Sequence, residues 1–170
     1  NPQGITAGPD GNLWFVEEGT NQIGRITTAG VITEFAVPTV SHQISGITSG
    51  PDGNVWFVEV NQNKIGRITP AGVITEFSSG SPSSSELGYI TTGPEGNLWF
   101  SDFDQNTVRR ITPAGVVTEF SSGITADSGP YGIAAGPDGN LWFTEDKTTR
   151  VGYITTTGDV TEIDMGVGTN

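Results

Sequence analysis

Four carboxylates stand at one position of a recurring pattern: Glu17, Glu59, Asp102 and Glu145, at spacings of 42, 43 and 43 residues. Each closes a short apolar run, Leu13-Trp14-Phe15-Val16-Glu17 being the first. Side chains that recur at a fixed period occupy equivalent places in successive structural repeats. If the four acids face a common centre, they form an arc of hard oxygen donors suited to Mg²⁺ or Ca²⁺. The competing role for such acids is local: capping turns, pairing with arginine or facing water. Arg25, Arg67 and Arg110 recur in the same way, with Tyr153 in the fourth place, and are expected to pair with acids on a neighbouring strand or blade. His42 is the one histidine, set in the connector Thr39-Val40-Ser41-His42-Gln43. A catalytic base needs a partner to orient it, and the sequence names none. The expectation for His42 is a solvated or hydrogen-bonded surface group. Serines cluster over 78–85, without the Gly-x-Ser-x-Gly elbow of a nucleophile. Tyr89 and Tyr131, close to the start of their repeats, are placed to line a pocket mouth or to fill a gap in the core.

Composition narrows the partners. With 7 basic and 19 acidic residues the formal charge is −12. Such a surface repels phosphate backbones and anionic lipid, so neither nucleic acid nor a membrane surface is an expected partner. Cations and cationic ligands remain. The chain has no cysteine, which removes disulfides and Cys-based zinc sites and leaves the compartment open. No apolar run approaches the ~20 residues of a membrane-spanning helix.

The elements that must position these residues come from self-similarity. All four tryptophans, Trp14, Trp56, Trp99 and Trp142, hold the same repeat position. Each follows a turn of the form Gly8-Pro9-Asp10-Gly11-Asn12, with glutamate replacing aspartate at Glu95. Pro sets φ at the first corner, Asp suits the second, and Gly takes the positive φ. Ile23-Gly24-Arg25-Ile26-Thr27 and Thr33-Glu34-Phe35 complete the first unit, and the other three repeat them with small changes. Runs at Gly4–Ala7, Leu13–Glu17, Gln22–Thr27 and Val31–Val37 read as four short strands, rich in β-branched and aromatic residues and bounded by Gly, Pro and Asn. No segment carries a helical apolar period. Four strands per unit of about 42 residues predict an all-β chain, a β-propeller segment of four four-stranded antiparallel blades over about 2–43, 44–86, 87–129 and 130–170. The tryptophans are expected between blades, because one blade cannot cover both of its own faces.

Gly-Pro-Asp-Gly-Asn-Leu-Trp-Phe-x-Glu, followed by Ile-Gly-Arg-Ile-Thr-x-x-Gly and Thr-Glu-Phe, resembles the blades of the streptogramin B (virginiamycin B) lyase family. The resemblance runs through every repeat. It implies blades of a seven-bladed ring and, for the lyases, Mg²⁺-assisted opening of a cyclic depsipeptide antibiotic by elimination. It places the family's histidine just before the isoleucine that opens a blade, in a Pro-His-x-Ile setting, and a carboxylate at the end of Trp-Phe-Thr-Glu. Here the histidine positions hold Gln3, Ser45, Gly88 and Tyr131, while the carboxylate positions hold Glu17, Glu59, Asp102 and Glu145. The resulting expectation is a non-catalytic lyase-like module for binding or self-assembly, the alternative being a metal-assisted lyase. Four blades cover only part of a circle at about one-seventh of a turn each. A homodimer closing one eight-bladed ring is therefore the expected assembly.

Overall fold

In the computed structural model, residues 1–40, 43–82 and 85–166 are described. The predicted strand pattern forms in each repeat. The first unit builds β1 (Pro2–Ala7), β2 (Leu13–Glu17), β3 (Gln22–Ile26) and β4 (Ile32–Ala36). The second builds β5 (Ile44–Ser49), β6 (Val55–Glu59), β7 (Lys64–Ile68) and β8 (Ile74–Ser78). The third has β9 (Leu87–Thr92), β10 (Leu98–Asp102), β11 (Thr107–Ile111) and β12 (Val117–Phe120), and the fourth β13 (Pro130–Ala135), β14 (Leu141–Glu145), β15 (Arg150–Ile154) and β16 (Val160–Asp164). Each unit is a separate four-stranded sheet whose strands pair in chain order, all antiparallel. One departure from the predicted all-strand pattern is a single 3₁₀ turn at Val60–Gln62, closed by Asn63 in the left-handed region (φ 49°). No helix is long and apolar enough to cross a membrane.

The Gly-Pro-Asp-Gly-Asn turn does more than reverse the chain. Gly11 takes φ 77° and its N–H donates to the Gly8 carbonyl. The second-corner acid turns inward, and the Trp14 indole N–H donates to Asp10 Oδ1 at 2.9 Å. Trp56 does the same to Asp52 at 3.0 Å. A buried indole needs such a partner, and the turn supplies it locally. These bonds hold the Asp10 and Asp52 carboxyls below their ordinary range against the opposing push of burial.

Three apolar cores lie between blades. Trp14, Val16 and Ile23 of the first meet Val55, Phe57 and Ile68 of the second. Trp56, Val58 and Ile65 meet Leu98, Phe100 and Ile111. Trp99 and Val108 meet Leu141, Phe143 and Ile154. The alternation of each strand sends one set of side chains forward and the other back. Trp14, Trp56 and Trp99 are fully buried, whereas Trp142, on the outer side of the fourth blade, is only partly so. Among the described residues no core joins the fourth blade to the first.

Candidate functional site

Each second-strand acid pairs in register with the residue that opens its blade: Pro2 with Glu17, Ile44 with Glu59, Leu87 with Asp102, and Pro130 with Glu145. The residue after each of these openers is the one at the family's histidine position. Periodicity thus sets four acid-and-neighbour pairs side by side on successive blades. Their surroundings differ sharply.

Glu59 is fully buried, and neither carboxylate oxygen has a hydrogen-bond partner among the described residues. Burial, reinforced by the nearby Glu76 and only partly offset by Lys64, pushes its carboxyl up to about 7. Asp102 is also fully buried but partnered. It accepts from Ser81 Oγ and from the Gln105 N–H, and it faces Arg109 Nε at 3.5 Å. Burial still raises its pKa. Glu145 accepts from Thr148 Oγ1 at 2.8 Å, and burial beside Glu162 raises it. Glu17, half-buried, accepts from Thr20 Oγ1 at 3.2 Å. Among the described residues no three His, Cys, Asp or Glu side chains gather closely enough to hold a metal ion. The four acids therefore do not fit a shared Mg²⁺ or Ca²⁺. Each lies at its own blade, and the groups nearest it are local hydroxyls, amides and cations, or none.

A second layer of charge secures the blade joints. Glu76 accepts from both the N–H and the Oγ1 of Thr39, in the preceding connector, and from Lys64 Nζ at 2.8 Å. Glu162 repeats the arrangement with Thr125 and Arg150. These bonds outweigh burial and keep both carboxyls low. In the third blade the basic residue at the start of the third strand is replaced by Thr107, and Arg109 takes over. It stands where the other blades have Gly24, Gly66 and Gly152, and it pairs with both Asp102 and Glu119. Sequence reasoning passed over Arg109; the departure from glycine at that repeat position was the available signal. The recurring arginines do join blades as expected, but to carbonyls as well as acids. Arg67 Nη1 donates to the Pro113 carbonyl at 3.0 Å and stands 3.6 Å from Asp52 of its own blade. Its guanidinium lies 5.5 Å from the Trp56 ring centroid and 5.2 Å from that of Phe77.

The histidine-position residues border a cleft of about 150 Å³ at the inner rim. Gln3, Ser45, Tyr89 and Tyr131 line it, with Glu18 at its edge. Gln3 Nε2 donates to Glu18 Oε2 at 3.1 Å, and Ser45 Oγ donates to the Gly88 carbonyl at 3.1 Å. Tyr89 and Tyr131 meet edge to face with centroids 5.5 Å apart, and Tyr131 meets Phe103 similarly at 6.0 Å. Burial, then the neighbouring Tyr89, Glu86 and Asp146, raises the Tyr131 phenol, so it stays protonated at neutral pH. Amide, hydroxyl and ring faces can recognise a ligand, but no group in the cleft is placed to take and return a proton at a reacting atom. The tyrosines thus line a pocket rather than fill the core. His42 lies outside the described residues.

Sheet order and cores define the class: a run of four β-propeller blades in an arc. The sequence profile of the virginiamycin B lyase family matches residues 1–85 and again residues 79–169. The chain belongs to the virginiamycin B lyase family. Among solved structures it is similar to virginiamycin B lyase from Staphylococcus aureus, with 42% identity and a TM-score of 0.91 over 96% of this chain and 55% of that one. A catalytically inactive histidine-to-alanine variant of the same lyase with quinupristin matches at 41% identity and a TM-score of 0.92, over 98% and 56%. A streptogramin B lyase matches at 36% and 0.90, over 96% and 54%. The chain thus spans about half the length of these relatives. No curated protein matches it.

Proposed function

We propose that these four blades form a non-catalytic member of the lyase family, a propeller arc that binds a small polar ligand at its inner-rim cleft. The observation that carries this reading is the content of the four histidine positions. Gln3, Ser45 and Tyr131 line the cleft, Gly88 supplies a carbonyl to Ser45, and none of the four is a base. The ligand chemistry follows from the lining. A flat ring or apolar edge rests against Tyr89, which is 44% exposed, and a polar group reaches Gln3 or the Tyr131 hydroxyl. Glu18 at the edge favours a neutral or cationic ligand over an anion.

Quinupristin is the probe of choice, because a relative 41% identical has been solved with it. Calorimetric titration is expected to give weak binding, reduced about fivefold by Tyr89→Ala through loss of a ring contact worth about 1 kcal/mol. Unchanged affinity in that variant, or absence of any heat, overturns the cleft assignment. The second reading, a metal-assisted lyase that opens the same depsipeptide, draws its support from the 36–42% identity to lyases. Its mark is the recovery of linearised antibiotic from the titration cell.

A further inference from the structure

We propose that a second copy of this chain docks on both open ends of the arc, the fourth blade of one copy against the first blade of the other, closing an eight-bladed ring. The argument rests on what the three internal joints have in common. At each, an aromatic ring of one blade seats on the turn glycine of the next: Phe35 on Gly72, Phe77 on Gly115, and Phe120 on Gly158. At each, an arginine donates to the carbonyl two residues before that glycine: Arg25 to Pro70, Arg67 to Pro113, and Arg110 to Thr156. At each, an Ile-Val/Leu-Phe-Ile set on the forward blade covers the Trp of the blade behind.

The two ends of the arc carry the two halves of a fourth such joint, and neither half is covered. On the first blade the equivalent apolar set is Ile5, Leu13, Phe15 and Ile26, joined by Ile32. Ile5 is 61%, Leu13 43% and Ile32 55% exposed. Their internal equivalents Val55, Leu98 and Leu141, at the Leu13 position, are all fully buried. With Pro2 and Phe15, these side chains border an open groove of about 460 Å³. The turn glycine of this blade, Gly30, would meet no described atom within 4 Å even if it carried a methyl group. On the fourth blade the seating side chain is Ile163, 45% exposed, beside the half-covered Trp142 and Val151. Tyr153 replaces the arginine, stacked near Trp142 with centroids 5.0 Å apart, and its hydroxyl is the donor left for the Thr28 carbonyl.

One end therefore offers a seat without a ring and the other a seating side chain without a glycine. Exposed apolar faces of this kind mark association sites. A two-fold pair buries both joints at once, and its step of about 45° per blade is close to the ~51° of a seven-bladed ring. The charge of −12 on each copy opposes the pairing, as do Glu17 and Glu34 at the rim of the groove. Added salt is therefore expected to tighten it, the sign of an apolar joint between like-charged bodies.

The test is solution mass by light scattering on size exclusion at micromolar concentration, for wild type, Ile5→Asp and Ile163→Asp. Both substituted residues are exposed in the single arc, so each variant is expected to keep the folded spectrum of the monomer. Wild type is expected at twice 17.8 kDa. Each variant should fall to one copy, with pairing weakened at least about a hundredfold because symmetry counts each loss twice. An equimolar mixture of the two variants retains one native joint and is expected to recover a dimer weaker than wild type. A wild type that stays at one copy overturns the proposal. So does a dimer that survives both substitutions, or a mass that climbs past two copies with concentration.

Discussion

The buried Glu59 carboxylate makes a quantitative demand on stability. It is fully buried with both oxygens unpartnered among the described residues, and its carboxyl is raised from 4.5 to about 7. A group whose folded pKa lies above its unfolded value binds protons more readily in the folded state. Folding stability therefore falls as pH rises from about 4.5 to about 7, and the whole cost is present above that. The full shift corresponds to at most roughly 3 kcal/mol. Lys64 and Glu76 are partly solvated, so screening brings the expected figure to about 2 kcal/mol. Glu59→Gln keeps the shape and removes the titration. The new amide brings its own unpaired donor, a cost that does not vary with pH. The readout is therefore the change with pH in the difference between variant and wild type. Denaturant melts at about pH 5 and about pH 8 should show that difference moving by about 2 kcal/mol in favour of the variant, or about 4–8 °C in Tm. A difference that stays flat across this range refutes the account of Glu59 as an uncompensated buried acid.

Three further outcomes follow from the joints. Arg109→Gly, restoring the residue of the other blades, leaves Asp102 buried without its cation and should cost about 3 kcal/mol at neutral pH. Adding Thr107→Lys rebuilds the Lys64–Glu76 pattern against Glu119 and should recover part of that loss; chemical denaturation of the single and double variants checks both. Gly115→Ala forces a methyl group into the Phe77 ring at a φ of 89°, and calorimetry should show a loss of about 2–4 kcal/mol. Arg67→Ala removes the Pro113 bond and the contacts with the Trp56 and Phe77 rings, for an expected loss of about 2 kcal/mol in urea melts.

Periodicity made the blade legible. Four tryptophans in one register and a turn of known chemistry fix four strands, their order and the placing of Trp14, Trp56 and Trp99 between blades. It could not tell Glu17, Glu59, Asp102 and Glu145 apart. The repeat sets each backbone position, while the side chains of the adjoining strands and connectors decide whether an acid meets water, a hydroxyl, an arginine or nothing. Arg109 shows the limit in the other direction. One departure from the repeat supplies the cation that Thr107 withdrew, and only the register of β10 against β11 reveals the exchange. The cleft was half legible: Tyr89 and Tyr131 stood out by their position near blade openings, but Glu18 and Gln3 join them only through the packing of successive first strands.

The central claim is that this family member carries the lyase blades without the lyase chemistry. The direct measurement is chromatography of quinupristin incubated with the protein and Mg²⁺, beside the Staphylococcus aureus lyase as a positive control. The account predicts intact antibiotic throughout, because no cleft residue is placed to act as a base. Ring-opened product that disappears with Glu145→Gln would contradict it.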